Sequence, residues 1–482
     1  MTGFDLRVCA WAVAIGAAAT ACGGGGGSND DGGSGEGDTT AADDGTGATL
    51  DGSTSSATTV DPDGSDDGPN TTEPVPECGN GVREDPEQCD DGNQDPGDGC
   101  DVDCTVTVDT RIWEDVVAGA AAVQESGQGI VFDSANAAIA VGYVVDAVGN
   151  PNVWVKKYAP DGTEVWTQVL DPSTGLDDRA YGVDVDAQDD IYVSGDIGTD
   201  PASSDVWLAK LDPAGQLLWQ YTFDGPEGQN DVGEDVAVDA EGNAYVVGSV
   251  RVGANDQDIF VAKIDANGTE VWTDIVAGPN TLEDRAMGVD VDADGNAIVA
   301  GFVSDDGFAR DVWLRKYDPA GGEVWTTVWD SLQGGIDAAY EVVVAPDGSI
   351  GVAGSTPIIA TNENVWLGRF DGDGALLWQK TFGGPMILND HGLGVAADSQ
   401  SSFIVVGFKG IGDTDSDIWL QKWDVIGNVV WSQSFPGDGL DRDQALAVAV
   451  DGNDDLAATG EIRQMANNDG DIWVAKLAGS AE

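Results

Sequence analysis

The chain has 482 residues and carries 87 acidic against 20 basic side chains, which gives a formal net charge of -67 at pH 7. A surface this acidic repels phosphate backbones, so the composition argues against nucleic acid as a partner. Gly, Asp, Ser and Thr dominate the residues before Pro76, and the large apolar side chains that could form a core lie mainly after them.

The N-terminal segment contains the only long apolar stretch, CAWAVAIGAAATA, after a short start that holds Arg7. The stretch is too short for a membrane span and ends in small residues, which predicts a signal peptide over residues 1–21. The letters ATAC that end at Cys22 resemble a bacterial lipobox, and this resemblance implies that the thiol of Cys22 carries diacylglycerol. Gly23 after it fits transport to the outer membrane. Ordinary secretion, with cleavage after a nearby alanine, is the alternative.

Two different segments precede the repeats. Residues 22–76 are of low complexity, and we expect them to form a disordered, acidic tether. Residues 77–106 contain CGNG, EQCDDGN and GDGCD, which resemble the Myxococcus-type cysteine-rich repeat of secreted and surface proteins. In an exported chain, four cysteines imply two disulfides with three pairings open. These cysteines are Cys78, Cys89, Cys100 and Cys104. The aspartates between them either set tight turns or meet on a hard cation.

From residue 110 to 482 the sequence repeats with a period of 53 residues. One tryptophan recurs as Trp113, Trp166, Trp219, Trp272, Trp325, Trp378 and Trp431. A partner aromatic recurs as Trp154, Trp207, Phe260, Trp313, Trp366, Trp419 and Trp473, with one extra residue before the last. A glycine recurs as Gly142, Gly195, Gly248, Gly301, Gly354, Gly407 and Gly460. A period near 50 with strand-like content indicates a propeller or a solenoid.

One period predicts four short strands, because runs rich in Val, Ile, Leu and Trp alternate with Asp, Gly, Pro and Asn. The strand that carries the repeated tryptophan occurs first as RIWEDVV, at Arg111 to Val117, before any other strand. The chain ends on DIWVAKL with no such strand after it. The two termini should therefore complete one sheet between them, which closes a ring without an open edge. We predict an all-β, seven-bladed propeller in which Arg111 to Val117 is the outer strand of the last blade.

The repeat unit resembles the SBBP-type beta-propeller repeat. The segment from Asp258 to Gly301 follows that pattern almost throughout, with Phe260 in place of the first Trp. The resemblance covers the chain from Thr110 to its end and implies a bladed fold in an extracytoplasmic setting. It implies no single activity.

Two sets of charged residues recur with the period. The acidic set is Glu125, Asp178, Asp231, Asp284, Asp337, Asp390 and Asp443, and the basic set is Lys157, Lys210, Lys263, Lys316, Arg369, Lys422 and Lys476. The acidic set could form a cation or polar-ligand site near the channel mouth, because its members shortly precede the innermost strands. Alternatively, each carboxylate bonds the backbone of its loop or pairs with a lysine of the other set. We favour the structural interpretation, because a residue present in every blade serves what every blade needs.

Asp290, Asp292 and Asp294 resemble the start of a calcium loop. The acid that an EF-hand needs further on is missing, since Gly301 stands there, and a strand resumes at Ile298. A hairpin-borne calcium site and a plain Asp-Gly turn remain the two interpretations, and the turn is favoured. The sequence establishes no cofactor, and calcium is the candidate that these residues offer.

Catalytic residues are scarce. His391 is the sole histidine and takes a slot held by Arg179, Val232 and Arg285 in other copies, which indicates a variable loop residue. No P-loop, dinucleotide-binding or zinc-protease motif occurs. The rhythm of the repeats is similar to that of quinone-cofactor dehydrogenases, but their adjacent cysteines are absent from the propeller. We therefore expect a non-enzyme, with a hydrolase or a quinoprotein as the alternative.

These observations predict a monomeric outer-membrane lipoprotein that faces the surface or the periplasm. Its propeller should bind protein or polysaccharide through loops that differ between the blades, such as 196–204, 251–257 and 356–362. A purely structural role in the cell envelope is a further alternative.

Overall fold

The computed structural model of the chain describes residues 111–118, 124–254, 256–305, 309–331, 335–359, 362–383, 388–412, 415–435, 442–464 and 469–479. These residues form 28 β-strands and contain no helix that is long and apolar enough to cross a membrane. The predicted signal peptide, tether and cysteine-rich module lie outside the described residues.

The strands form seven four-stranded antiparallel sheets. The first strands are β2 (Ser126–Phe132), β6 (Asp178–Val185), β10 (Val232–Val238), β14 (Arg285–Val291), β18 (Ala338–Val344), β22 (Asp390–Ala397) and β26 (Gln444–Val450). The second strands are β3 (Ala138–Val145), β7 (Ile191–Asp200), β11 (Ala244–Gly253), β15 (Ala297–Ser304), β19 (Ile350–Ile359), β23 (Phe403–Gly412) and β27 (Leu456–Gln464). The third strands are β4 (Pro151–Tyr158), β8 (Ser203–Leu211), β12 (Asp256–Ile264), β16 (Arg310–Tyr317), β20 (Asn362–Phe370), β24 (Asp415–Trp423) and β28 (Asp469–Leu477). The fourth strands are β1 (Arg111–Val117), β5 (Glu164–Leu170), β9 (Leu217–Phe223), β13 (Glu270–Val276), β17 (Glu323–Trp329), β21 (Leu376–Phe382) and β25 (Val429–Phe435).

The seven sheets are the blades of a propeller. Each first strand packs against the first strands of both neighbouring blades, and β2 closes the circle by packing against β26. The first strands therefore surround the central channel, and the fourth strands lie at the rim. We number the blades from β2, and we call the end of the channel where the first strands begin the mouth. The predicted seven-bladed fold is confirmed.

Blade 7 joins the two ends of the propeller. β1 pairs antiparallel with β28, so that the sheet runs in the order β1, β28, β27, β26. The sequence prediction that Arg111 to Val117 forms the outer strand of the last blade is therefore confirmed. Without this strand β28 would be an unpaired edge.

Apolar side chains fill every interface between neighbouring blades. Between blades 1 and 2, for example, Val141 and Val155 pack with Trp207. The closing interface has the same construction, because Trp154 of blade 1 packs with Ile472 of β28. The seven partner aromatics are at most 3% exposed. The core is thus a ring of seven apolar layers, and each blade supplies one wall to the layer on either side of it.

Six of the seven repeated tryptophans of the fourth strands, all but Trp431, connect one blade to the next. The indole Nε1 of Trp219 donates to the carbonyl oxygen of Ala266 at 3.1 Å, and that of Trp166 donates to Pro213 at 3.2 Å. The acceptor lies in the turn between the third and fourth strands of the following blade. In such a turn, Asp212 Oδ1 accepts the N–H of Gln216 at 2.8 Å, and Gly215 has a φ of 78°. The repeated Asp and Gly therefore shape the turn that receives the tryptophan.

Deletion of residues 111–117 from the full chain should destabilise the propeller. The deletion removes Trp113 from the closing interface and exposes β28, so we expect the free energy of unfolding to fall by about 2 kcal/mol or more. Denaturant unfolding measures the loss. Deletion of residues 51–57 is the length-matched control and should leave the transition unchanged. Equal stability of the two deletion variants would contradict the role of β1 in closure.

Candidate functional site

The repeated glycine of each second strand allows the first strand to bulge. A Cβ atom on Gly195 would lie 1.9 Å from the carbonyl oxygen of Arg179, and the corresponding distance is 1.9 to 2.0 Å in all seven blades. In the first strand, the pairing register shifts just after the residue that faces the repeated glycine. In blade 3, for example, the shift lies between Gly233 and Asp235. A bulge displaces a residue and re-aims its side chain. The displaced residues, which we call the bulge residues, are Gln128, Tyr181, Glu234, Met287, Tyr340, Leu393 and Leu446.

The bulge residues break the symmetry of the repeat at the mouth. Those of blades 1 to 3 are Gln128, Tyr181 and Glu234, whereas blades 6 and 7 supply Leu393 and Leu446. Tyr181 interacts electrostatically with residues of blades 1 to 4, from Tyr143 to Arg285. Only a side chain near the central axis reaches so many blades.

Blades 3 and 4 contribute a charged network to the mouth. The Arg285 guanidinium lies 3.2 Å from Glu234 Oε1 and 2.7 Å from Glu283 Oε1. It also donates to Gln257 Oε1 at 3.3 Å. Arg310 contacts Glu283 as well. Burial raises the pKa of Glu234 to about 7 in spite of Arg285. A carboxyl group of this kind changes its charge near neutral pH.

Blades 5 and 6 contribute an aromatic stack. The ring of His391 lies between the rings of Tyr340 and Phe408, at centroid distances of 5.8 and 5.0 Å. Its Nε2 atom is 3.1 Å from Glu363 Oε2. The interpretation of His391 as a variable loop residue is wrong, because His391 lies in β22 and is only 7% exposed. It belongs to the strand because it pairs with Phe408 in the ladder.

Further along the channel lie four carboxyl groups, which we call the channel carboxylates: Asp184, Asp235, Asp290 and Glu341. They come from blades 2 to 5 and interact with one another electrostatically. Burial raises the pKa of Asp184 to about 7 and that of Asp290 to about 6, and it also raises the pKa values of the other two.

Glycines and backbone amides accommodate the channel carboxylates. Asp235 Oδ1 would lie 2.5 Å from a Cβ on Gly182, and Glu341 Oε1 would lie 2.6 Å from one on Gly288. The carboxylate of one blade therefore occupies the space that a glycine leaves on the preceding blade. Asp235 Oδ2 also accepts the N–H of Val289 in the next blade at 2.9 Å.

The predicted acidic set lies at the mouth face, where the carboxylates of Asp178, Asp231 and Asp284 each connect two segments of backbone. Asp284, for example, accepts the N–H of Ser304 and that of Gly278, both at 2.7 Å. All seven members are at most 3% exposed. Burial raises the pKa of Asp284 to about 6. The carboxylates of Asp178, Asp231, Asp284 and Asp337 thus hold the loop before their blade against the second strand of that blade.

The predicted basic set lies at the opposite face and pairs with a different group of acids. Lys210 Nζ is 2.8 Å from Asp186 Oδ2, in the turn between the first and second strands. The seven partners are Asp133, Asp186, Asp239, Asp292, Asp347, Asp398 and Asp451, at 2.6 to 2.9 Å. In blade 5, Ala345 takes the usual aspartate position. There Asp347 supplies the carboxylate, and Arg369 takes the place of lysine.

The candidate calcium residues Asp290, Asp292 and Asp294 are engaged separately. Asp290 Oδ2 accepts the N–H of Val344 at 2.7 Å, whereas Asp292 Oδ2 is 2.8 Å from Lys316 Nζ. Asp294 is exposed. Two other trios within the described residues bring carboxylate oxygens within 4.8 Å of one another and could hold a divalent cation. They are Asp205, Asp224 and Asp231, and Asp311, Asp330 and Asp337.

The lipidation and disulfide predictions concern Cys22, Cys78, Cys89, Cys100 and Cys104, which lie outside the described residues. Sequence reasoning missed the bulge residues and three of the four channel carboxylates, because only Asp290 was among the predicted site residues. The signal for the latter was present in the aligned repeats, because Gly129, Gly182, Gly288 and Gly394 share the position of Asp235 and Glu341.

Comparisons with known proteins give similarity to solved structures only. No family model and no curated protein matches the chain. Polysaccharide lyase Uly1 is 10% identical with a TM-score of 0.48, over 73% of this chain and 90% of that one. A protein of unknown function from Dyadobacter fermentans is 8% identical with a TM-score of 0.44, over 77% and 100% of the two chains. The gluconolactonase XC5397 from Xanthomonas campestris is 14% identical with a TM-score of 0.35, over 76% and 91%. Values this low support no statement about what this chain binds or catalyses.

Lys210→Met should cost about 3 kcal/mol of the free energy of unfolding at neutral pH. The substitution leaves the carboxylate of Asp186, whose side chain is 2% exposed, without its cation. Denaturant unfolding measures the loss. The double variant Lys210→Met with Asp186→Asn should recover part of it, because no buried charge is then left unpaired. A loss below about 1 kcal/mol in the single variant would contradict a stabilising pair.

The melting temperature should rise as the pH falls from 8.5 to 6. The folded-state pKa values of Asp184 and Glu234 are about 7, above the unfolded values of about 4. The folded protein therefore binds these protons more tightly, so its stability is lower above pH 8 and recovers as the groups are protonated.

Asp235→Asn should raise the melting temperature at pH 8.5 and flatten this dependence, because Asn keeps an acceptor for Val289 but carries no charge. Exposed Asp294→Asn is the control and should change neither quantity. A wild-type melting temperature that decreases from pH 8.5 to 6 would contradict the prediction, because other titrating groups would then set the pH dependence of stability.

Proposed function

We propose that this protein is a cell-envelope lipoprotein whose propeller binds a polysaccharide at the channel mouth. The observation that carries the proposal is the convergence at the mouth of polar and aromatic side chains that break the repeat. A residue needed in every blade is repeated, as the basic set is, whereas a ligand contacts different blades differently. At the position shared by Tyr181, Glu234 and Tyr340 the other blades hold Gln, Met or Leu, and at the position shared by Arg285 and His391 they hold Ser, Arg, Val, Ala or Gln.

The chemistry of the mouth favours a carbohydrate over a protein or a nucleic acid. Donors and acceptors alternate over short distances, as in the contacts of Arg285 with Glu234 and Gln257 at 3.2 and 3.3 Å. Sugar hydroxyls both donate and accept, so they match such a surface. Half-buried Tyr181 and Tyr340 add aromatic surface. The net charge of -67 disfavours nucleic acid.

The anchoring part of the proposal rests on sequence alone. A lipid at Cys22, a tether over residues 22–76 and a disulfide module over residues 77–106 would hold the propeller away from the outer membrane. This arrangement supports binding to polymers of the cell surface or the periplasm.

A second candidate is an enzyme that acts on the same class of ligand. The observation that favours it is Glu234, because a carboxyl group with a pKa of about 7 in a cleft suits general acid-base chemistry. Product release from a retained polysaccharide, lost in Glu234→Gln, would identify this alternative.

Retention of the full-length protein on insoluble polysaccharides tests the proposal. We expect wild type to bind at least one member of a panel of neutral and acidic polymers. Arg285→Ala combined with Tyr340→Ala should reduce retention about tenfold or more, because it removes contacts on two sides of the mouth. Arg315→Ala, on the third strand of blade 4, is the matched control and should bind as wild type does. Equal retention of all three proteins, or of none on any polymer, would refute the proposal.

A further inference from the structure

We infer that the ring of bulge residues is a subsite for one uncharged sugar unit that enters along the channel axis. The inference rests on the proposed function and deepens it, because it names the chemical class and the orientation of the unit recognised. Three features of the ring carry it: unused hydrogen-bonding groups on one arc, apolar side chains on the other, and charges of both signs around them.

The polar arc offers hydrogen-bonding groups that no described residue uses. The hydroxyl of half-buried Tyr181 makes no hydrogen bond to a described residue. Glu234 is 6% exposed, and only its Oε1 atom is bonded to Arg285. Gln128 donates through Nε2 to Ser126 Oγ at 2.8 Å, and its Oε1 atom accepts from no described residue. One hydroxyl and two acceptor oxygens from three consecutive blades therefore remain for a ligand.

The opposite arc is apolar. Met287, Leu393 and Leu446 occupy the same register in blades 4, 6 and 7, and Tyr340 stands between them in blade 5. A pyranose has hydroxyl groups along its edge and C–H groups on its faces. The two arcs therefore match the two kinds of surface on a sugar ring.

The charges around the ring select against charged ligands. An anion would approach Glu234 and the channel carboxylates, within a chain whose net charge is -67. A cation would meet Arg179, which lies 5.6 Å over the ring of Tyr143, and Arg285. A polyol avoids both penalties and can still bond to carboxylate and guanidinium groups.

The position of the ring on the axis sets the orientation. Seven first strands enclose the channel and pack against one another, so a ligand reaches the ring along the channel axis. A polymer that lies across the mouth could project only a terminal or branching unit into the ring. A single sugar should therefore be sufficient for recognition.

Ligand-observed NMR on the full-length protein tests this inference, with the methyl glycosides of glucose, galactose and mannose and with the matching uronic acids and amino sugars as probes. We expect at least one methyl glycoside to bind, and its charged counterparts to bind at least tenfold more weakly. Tyr181→Phe and Gln128→Leu should each weaken binding about five- to tenfold, which corresponds to one lost hydrogen bond. Asp294→Asn, at an exposed turn residue on the face opposite the mouth, is the control and should bind as wild type does.

The possible failures are distinguishable. Preference for a charged sugar, or unchanged affinity in both polar variants while circular dichroism shows the native fold, would overturn the inference. So would retention on polysaccharides without binding of any methyl glycoside, although the proposed function would then stand. Absence of binding to every polysaccharide and every glycoside would overturn both.

Discussion

One steric constraint underlies the mouth of this propeller: the missing Cβ atom in the middle of each second strand. With that atom, the carbonyl oxygen of the facing first-strand residue would be about 2 Å away in every blade. Because it is absent, the first strand can press inward and bulge. The bulge re-aims the side chain that follows, and in blade 2 that side chain, Tyr181, interacts with residues of four blades. A residue that is the same in all seven repeats thus creates seven positions at which the repeats are free to differ.

The repeated side chains keep those positions in place from the rim to the far face. Buried partner aromatics fill the layers between blades, tryptophan indoles bond to the turns of the next blade, and seven ion pairs join third strands to the turns at the face opposite the mouth. Buried ion pairs contribute little net stability against an apolar alternative, but they are costly to break. Blade 5 has an ion pair although Ala345 takes the usual aspartate position. There Asp347, two residues further on, pairs with Arg369.

Much of the fold could be predicted from the sequence, whereas the site could not. The number of blades and the closing role of Arg111 to Val117 follow from counting a fixed period along the chain. The acids that pair with the basic set could not be predicted in this way, because two groups of acids recur with the same period. Only the direction of the strands shows which of the two groups lies beside Lys210. The convergence of Tyr181, Glu234 and Arg285 depends on the ring and on its bulges. The assignment of His391 to a loop was wrong because the first residue of β22 could not be predicted from the sequence, and His391 pairs in the ladder only because β22 begins at Asp390.

The way in which β1 closes the ring also determines how the propeller bears mechanical load. Arg111 pairs with Leu477, and Leu477 pairs with Leu456 at the face opposite the mouth, whereas Val117 pairs with Ile472 near the mouth. β1 therefore begins on the far face, and it ends near the mouth. Tension between a ligand at the mouth and the N-terminal segment would run along β1 and strain its ladder in shear, so that the hydrogen bonds to β28 resist together instead of opening one by one.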